Sequence, residues 1–513
     1  MRLPMLLGLL CLSAPASAGW YEASSDHFVV YSEERPEELK AFAERLERYD
    51  KAMRFMRGLP DADLGPANRL TVYVVSNQSE VRKLYGTRYG GVAGFYIPRA
   101  SGSVAVIPRN LGGRGKYDLD ADTVLLHEYA HHFLFQNYAM AFPAWFTEGF
   151  AEFHSATRFE DDGAVLVGTP ASHRAYGLIY LRPLPMERML TLGGRGMSAE
   201  ETETLYTRGW LLTHYLTFEP KRKGQLAAYL AALNSGKKGA DAARAAFGDL
   251  NKLGGELEAY LKRRRMSHIR IAPSALQTRA VAVRPLSVAE NAVMEVRMRS
   301  DRGVDDAKAK ALLPVARQAA APYPNDPAVQ VVLAEAEYDA GNYKEALAAA
   351  DRALSADPKS VDALIYKGRA LMAAAEKSKA ADEAAWKEAR RWLVAANRAD
   401  PNDPEPLILF YASFGAAGKA PTANAVTGLN RAYELAPHDR TLRLMAARQF
   451  LADGKGEEAR RAMAPVAYDP HSGAMGTAAA AILAKLDSAG AAEALKAFDA
   501  AGKTEEAKGE ESP

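Results

Sequence analysis

The segment from Asp122 to Phe135 constrains this chain more than any other, because an apolar run of helical character there carries His127, Glu128, His131 and His132. On a helix, residues four apart lie one turn apart on the same face, so His127 and His131 can aim imidazole nitrogens at one point. His132 is a rival partner for His127. Five residues at about 100° each, however, carry the two roughly 140° apart around the helix. His127 and His131 are therefore the pair. Two neutral imidazoles suit Zn²⁺, and Glu128 beside them can take the proton of a zinc-bound water, the layout of a metal-assisted hydrolase.

Zinc needs a third protein ligand, and the next segment offers carboxylates. The helix should stop after Asn137 and Tyr138, and Phe142-Pro143 marks a fresh start. Glu148 and Glu152 then stand four apart on one face, among Trp145, Phe146, Phe150 and Phe153. A buried carboxylate left unpaired costs several kcal/mol, whereas an ion and its histidines would satisfy both.

His-Glu-x-x-His followed by Trp145-Phe146-Thr147-Glu148-Gly149-Phe150-Ala151-Glu152 resembles the gluzincin metallopeptidases, specifically over about residues 120–155 and more loosely across 20–265. The resemblance implies an α+β zincin-like catalytic domain that hydrolyses peptide bonds. It further implies one Zn²⁺ per chain on His127, His131 and Glu148, with Glu128 as general base and Glu152 orienting a zinc-bound imidazole. The chain lacks the Gly-x-Met-Glu-Asn segment by which the aminopeptidase branch recognises a free amine, so exopeptidase action from the N-terminus is not implied. Further on, Ser198 and Glu201 have capping-box spacing and open a helix through Phe218, on which Tyr206, Trp210 and His214 form one stripe. Gluzincins often place a Tyr or His opposite the zinc to hold the oxyanion, which makes Tyr206 and His214 catalytic candidates. An aromatic packing face is the alternative for that stripe.

Residues 20–110 read as mixed α/β. Short strands are expected at His27–Tyr31 and Leu70–Val75, with helices over Pro36–Met56 and Val81–Tyr85 and a hairpin from Gly91–Ile97 and Ser103–Ile107. Residues 91–97 are the candidate edge strand for pairing with an extended peptide. Leu111–Gly115 lacks the Gly-Lys-Ser/Thr ending of a phosphate cradle and reads as a loop. Residues 158–195 read as loop-rich, and two helices, Gln225–Leu233 and Ala240–Arg263, should close the domain. Lys262–Arg265 reads as a solvated helix end.

Met1 to Ala18 has the build of a secretory signal peptide, and Cys11, the single cysteine, lies inside it. Its removal with Arg2 takes the formal charge from +2 to +1, which points to no nucleic-acid partner. No second apolar run is long enough for a membrane span. The chain is expected to cross the inner membrane and reside in a bacterial periplasm.

The last third is Ala-rich, with Pro358, Pro401, Pro437 and Pro470 at intervals of 43, 36 and 33. Leu333–Pro358 resembles a tetratricopeptide repeat, a unit of about 34 residues, with an inserted stretch near Ala373–Ala385. Residues 286–321 look like a degenerate first pair. Stacked pairs form an all-α solenoid with a groove for a protein partner or for the substrate protein. The division is thus a leader over 1–18, a mixed α/β part over 19–118, a helical zinc-binding part over 119–265, a linker over 266–285, repeats over 286–500 and a disordered tail over 501–513. Two functions follow: a periplasmic zinc peptidase acting on a protein or peptide, or a repeat scaffold whose peptidase-like domain is inactive or purely structural.

Overall fold

The computed structural model describes residues 19–61, 65–87, 92–110, 119–191, 197–378, 383–469 and 471–510. The leader, the loop Leu111–Gly115 and the start of the expected edge strand at Gly91 lie outside the described residues.

Strands β1 (Tyr21–Ser24), β2 (Phe28–Ser32), β3 (Leu70–Val75), β4 (Phe95–Ile97) and β5 (Val104–Pro108) belong to a six-stranded sheet. β6 (Arg158–Phe159), β7 (Val165–Val167) and β8 (Ile269–Ile271) form a second, three-stranded sheet, and β9 (Ala282–Pro285) returns to the first. The large sheet runs β4-β5-β3-β2-β1-β9, with β2, β3 and β5 parallel and both ends antiparallel. β2 and β5 are buried at every position, as β-branched runs in a doubly covered sheet must be. Phe28, Val30, Val72 and Ile107 face one layer, containing α1 (Pro36–Arg57). Val29, Tyr31, Tyr73 and Val106 face the other, with Val81 of α2 (Gln78–Tyr85) and with Leu286 and Met294 from the start of the repeats.

Two strands correct the expected linker. Residues 266–285 contribute β8 and β9, one to each sheet, because Ile269, Ile271 and Val283 can pair and pack where a solvated linker would be polar.

α3 (Ala121–Asn137) packs on the α1 side of the sheet and against α4 (Ala144–Ser155). Then come α5 (Ala175–Tyr180), α6 (Met186–Thr191), α7 (Ala199–Phe218), α8 (Gln225–Asn234), α9 (Gly239–Phe247) and α10 (Leu250–Leu261). The stretch 158–195 thus holds more regular structure than expected. The single helix expected over 240–263 is two, because Gly248 turns at φ 79° and Asp249 caps a new N-terminus. Both halves of the Ser198–Glu201 capping box are formed.

All twelve residues of α4 are buried. Its tightest neighbour is α7, and the two cross at a glycine pair. A Cβ on Gly149 would lie 2.3 Å from the carbonyl oxygen of Gly209, and one on Gly209 would lie 2.6 Å from that of Trp145. This close approach brings Tyr206, in the first half of α7, over His127 of α3.

The rest of the chain is a stack of helices: α11 (Val288–Arg302), α12 (Asp306–Ala320), α13 (Pro327–Asp339), α14 (Tyr343–Ala356), α15 (Val361–Lys377), α16 (Glu383–Ala399), α17 (Pro404–Ala416), α18 (Ala423–Leu435), α19 (Arg440–Ala452), α20 (Gly456–Tyr468) and α21 (Gly473–Glu510). Small residues such as Ala334, Ala349 and Ala350 fill the helix contacts, and Gly341 turns the chain at φ 81° between α13 and α14. Pro358, Pro401 and Pro437 fall between helices. The tail expected to be disordered continues as helix to Glu510, consistent with its Ala, Lys and Glu content, and only 511–513 lie outside the described residues.

The glycine crossing gives a direct test. Gly149→Ala or Gly209→Ala should destabilise the protein by about 1–3 kcal/mol, or prevent folding, because rigid backbone rather than a movable side chain occupies the space. The urea midpoint measures this, and an unchanged midpoint would mean α4 and α7 do not cross here.

Candidate metal centre

α3 begins where the Asp120 side chain accepts a hydrogen bond from the Thr123 amide at 2.6 Å. One and a half turns into it, His127 and His131 point their Nε2 atoms at each other, 3.1 Å apart. Two ring nitrogens facing this closely need a shared proton or a shared cation between them. Glu148, fully buried on α4, brings Oε2 to 3.5 Å from both nitrogens, and that oxygen is buried with no hydrogen-bond partner. The three donor atoms thus converge on one point. Donors bound tetrahedrally to zinc at about 2.0–2.1 Å stand about 3.3 Å apart, which these separations bracket. The residues present fit a zinc ion.

Glu152, one turn after Glu148, holds Oε1 3.2 Å from His127 Nδ1, close enough to keep a proton on that nitrogen and turn Nε2 toward Glu148 and His131. It also accepts from His173 at 2.8 Å and from Arg174 at 2.6 Å. Burial alone would raise both carboxyls. The His131 charge and the close His127 and His471 imidazoles outweigh it for Glu148, and His127, His173 and Arg174 outweigh it for Glu152, so both sit well below the usual carboxylate range. Burial would likewise depress His127, but Glu148 and Glu152 overcome it and push the imidazole up to about 10. The surroundings are built to hold positive charge at this point. His131 Nδ1 is buried without a partner, so Glu152 orients only one of the two imidazoles.

Glu128 lines the cavity above these groups, which has a volume of about 590 Å³. Tyr206 lines it too. Its ring lies parallel to that of His127, with centroids 6.0 Å apart, and the Arg174 guanidinium lies 5.0 Å from the centre of the ring. Burial, then the nearby Glu148 carboxylate, raise the Tyr206 hydroxyl far above its ordinary value, so it keeps its proton and can act as a donor. The exposed side of β4, the edge strand of the large sheet, forms another wall through Phe95 and Tyr96.

His214 does not join the site, and its expected catalytic role is withdrawn. Eight residues after Tyr206 on α7, it lies about 12 Å further along the axis. There it is fully buried, with Tyr260 Oη 2.9 Å from Nδ1 and the carbonyls of Gly168 and Ser267 3.0 Å from Nε2. Burial pushes it down to about 4. His132 also points elsewhere, its Nδ1 2.8 Å from Tyr96 Oη and its ring against His438 of the repeats.

Three residues of the site have no counterpart in the sequence pattern. His173 and Arg174 lie in a short 3-10 turn within the segment expected to be loop. His471 comes from between α20 and α21, at the far end of the repeats, and its Nε2 donates to Glu148 Oε1 at 2.8 Å. No periodicity marks any of them; they are found only by proximity.

A family model for the tetratricopeptide repeat matches residues 327–370, that is, α13, α14 and the first part of α15. The helical stack is of the tetratricopeptide type. Among solved structures, the chain is similar to TTC0263, a thermophilic tetratricopeptide-repeat protein of Thermus thermophilus, at 18% identity and a TM-score of 0.33, covering 38% of this chain and 98% of that one. It is also similar to the MamA RS-1 ArsTM double mutant, at 18% identity and a TM-score of 0.27, covering 35% and 93%. No curated protein matches the chain.

If Glu152 sets the orientation of His127, Glu152→Ala should weaken zinc affinity by about 10–100-fold while leaving secondary structure intact. Competition against a chromophoric chelator, with circular dichroism as the fold control, measures this. Unchanged affinity would remove Glu152 from the centre.

Proposed function

We propose that this chain is a zinc-dependent peptidase that cleaves peptide bonds within a protein or peptide, with its repeats serving to hold substrate or partner. The observation that carries the proposal is the convergence of His127 Nε2, His131 Nε2 and Glu148 Oε2 on one point, with Glu128 on the cavity wall. A zinc ion there would act as a Lewis acid toward a water molecule and a peptide carbonyl. The chain's own residues supply the rest. Glu128 accepts the proton of the attacking water, and Glu152 keeps the His127 Nδ1 proton in place. Tyr206, held protonated, donates to the oxygen that becomes negative as the carbonyl is attacked. The free edge of β4 offers backbone donors and acceptors to an extended substrate. The leader-like first eighteen residues support a periplasmic location.

A second function has a specific observation in its favour. The family match falls wholly within the repeats, and it weighs toward a tetratricopeptide scaffold whose metal site is structural or inactive. The two differ over Glu128, since holding an ion requires His127, His131 and Glu148 but not a carboxylate that takes protons.

Glu128→Gln preserves side-chain size and all three donors. Purified Glu128→Gln protein should therefore carry the same zinc as wild type, close to one per chain by elemental analysis. Its hydrolysis of unfolded protein should fall by about 10²–10⁴-fold. Equal rates would exclude Glu128 as the base. Zinc in both proteins with cleavage in neither would favour the scaffold.

A further inference from the structure

We propose that the metal centre is a two-domain site, completed by the tetratricopeptide repeats through His471, which acts as a positioning residue for Glu148. This inference rests on the zinc-binding part of the proposed function and not on its peptidase part.

The two oxygens of Glu148 have separate neighbours. Oε2 faces His127 and His131, while Oε1 accepts from His471. A carboxylate otherwise free to rotate about its last torsion can present either oxygen, or both, to an ion. A donor fixed on Oε1 holds Oε2 on the histidine side, and partners of this kind commonly tune ligand geometry and affinity.

His471 is itself held in place without help from Glu148. Its backbone amide donates to Asp469 Oδ1 at 2.9 Å. Asp469 is buried, and its Oδ2 accepts from Ser472 Oγ at 3.0 Å and pairs with Arg440 Nε at 2.6 Å. The Asp469 amide donates to the Pro465 carbonyl at the end of α20. The turn therefore presents His471 as part of the repeat framework, although the imidazole is half-exposed on its cavity side.

That framework is tied to the histidine helix around the same cavity. Gln136 of α3 donates to the Leu435 carbonyl at 3.0 Å. His438 Nε2 meets the Arg99 carbonyl at 3.1 Å, and the Ala100 amide donates to Asp439 at 2.8 Å. Ala141, just before α4, is part of the apolar core of the last repeats. The last repeats are thus anchored on α3, on the turn between β4 and β5 and on the segment just before α4, and these contacts bring together His471 and Glu148, 323 residues apart in sequence.

The test uses the full mature chain as wild type, His471→Ala and His471→Gln, with zinc affinity read by chelator competition and stability by urea unfolding. His471→Ala should bind zinc about 10–100-fold more weakly at an unchanged urea midpoint. His471→Gln should recover much of that loss, because its amide nitrogen can donate to Oε1. Wild-type affinity in His471→Ala would overturn the proposal alone. Equal loss in both variants, with a changed visible spectrum after cobalt(II) substitution, would make His471 a ligand rather than a positioning residue and would also overturn it. A wild-type protein that binds no zinc would overturn the metal reading and this proposal with it.

Discussion

Two ionised carboxylates on a helix buried on every face form the constraint on which the rest of this structure depends. A charge left unpaired in such surroundings costs several kcal/mol, so Glu148 and Glu152 dictate what must stand around α4. The compensation arrives from three separate parts of the chain. α3 contributes His127 and His131, the turn after β7 contributes His173 and Arg174, and the end of the repeats contributes His471. Even so, Glu148 Oε2 has no hydrogen-bond partner while two imidazole nitrogens face it, and a divalent cation is the species that would satisfy all three.

The sheet imposes a second requirement that works in the same direction. Its central strands are apolar on both faces, so they need a layer on each side. α1 and α3 supply one layer; α2 alone is too short to supply the other, and the start of the repeats completes it. Tyr73 donates to Asp301 there, and Arg297 sits 4.7 Å over the Tyr31 ring. The solenoid is consequently not an appendage on a flexible tether. β9 pairs with β1 immediately before the first repeat helix, which fixes where the stack begins, and the stack then passes back over the cavity at its far end.

This arrangement makes the cavity a shared space. It is lined by α3 and α4, by the edge strand β4, and by the repeats through His438, Arg440 and His471 among others. A ligand that enters contacts both halves of the chain. Whether the repeats act as scaffold or as substrate holder, anything that moves α19 to α21 also moves a hydrogen-bond donor on Glu148.

The sequence by itself determined whatever depends on local spacing. Positions four apart put His127 with His131 and Glu148 with Glu152, the capping box set the start of α7, and Gly341 with the inter-helix prolines marked the repeat turns. These features come from the helical period and from backbone conformations that few residues adopt, so they survive without knowledge of the fold. Tertiary structure alone decided the rest. The Tyr206 and His214 stripe looked uniform, yet the Gly149–Gly209 crossing brings one end of α7 to His127 and buries the other among carbonyls. Residues 266–285 looked like a linker because their pairing partners lie over 100 residues away for β7 and over 250 for β1. His471 looked like any turn residue, because a charge buried on α4 exerts its demand through space, and nothing along the chain records which distant side chain answers it.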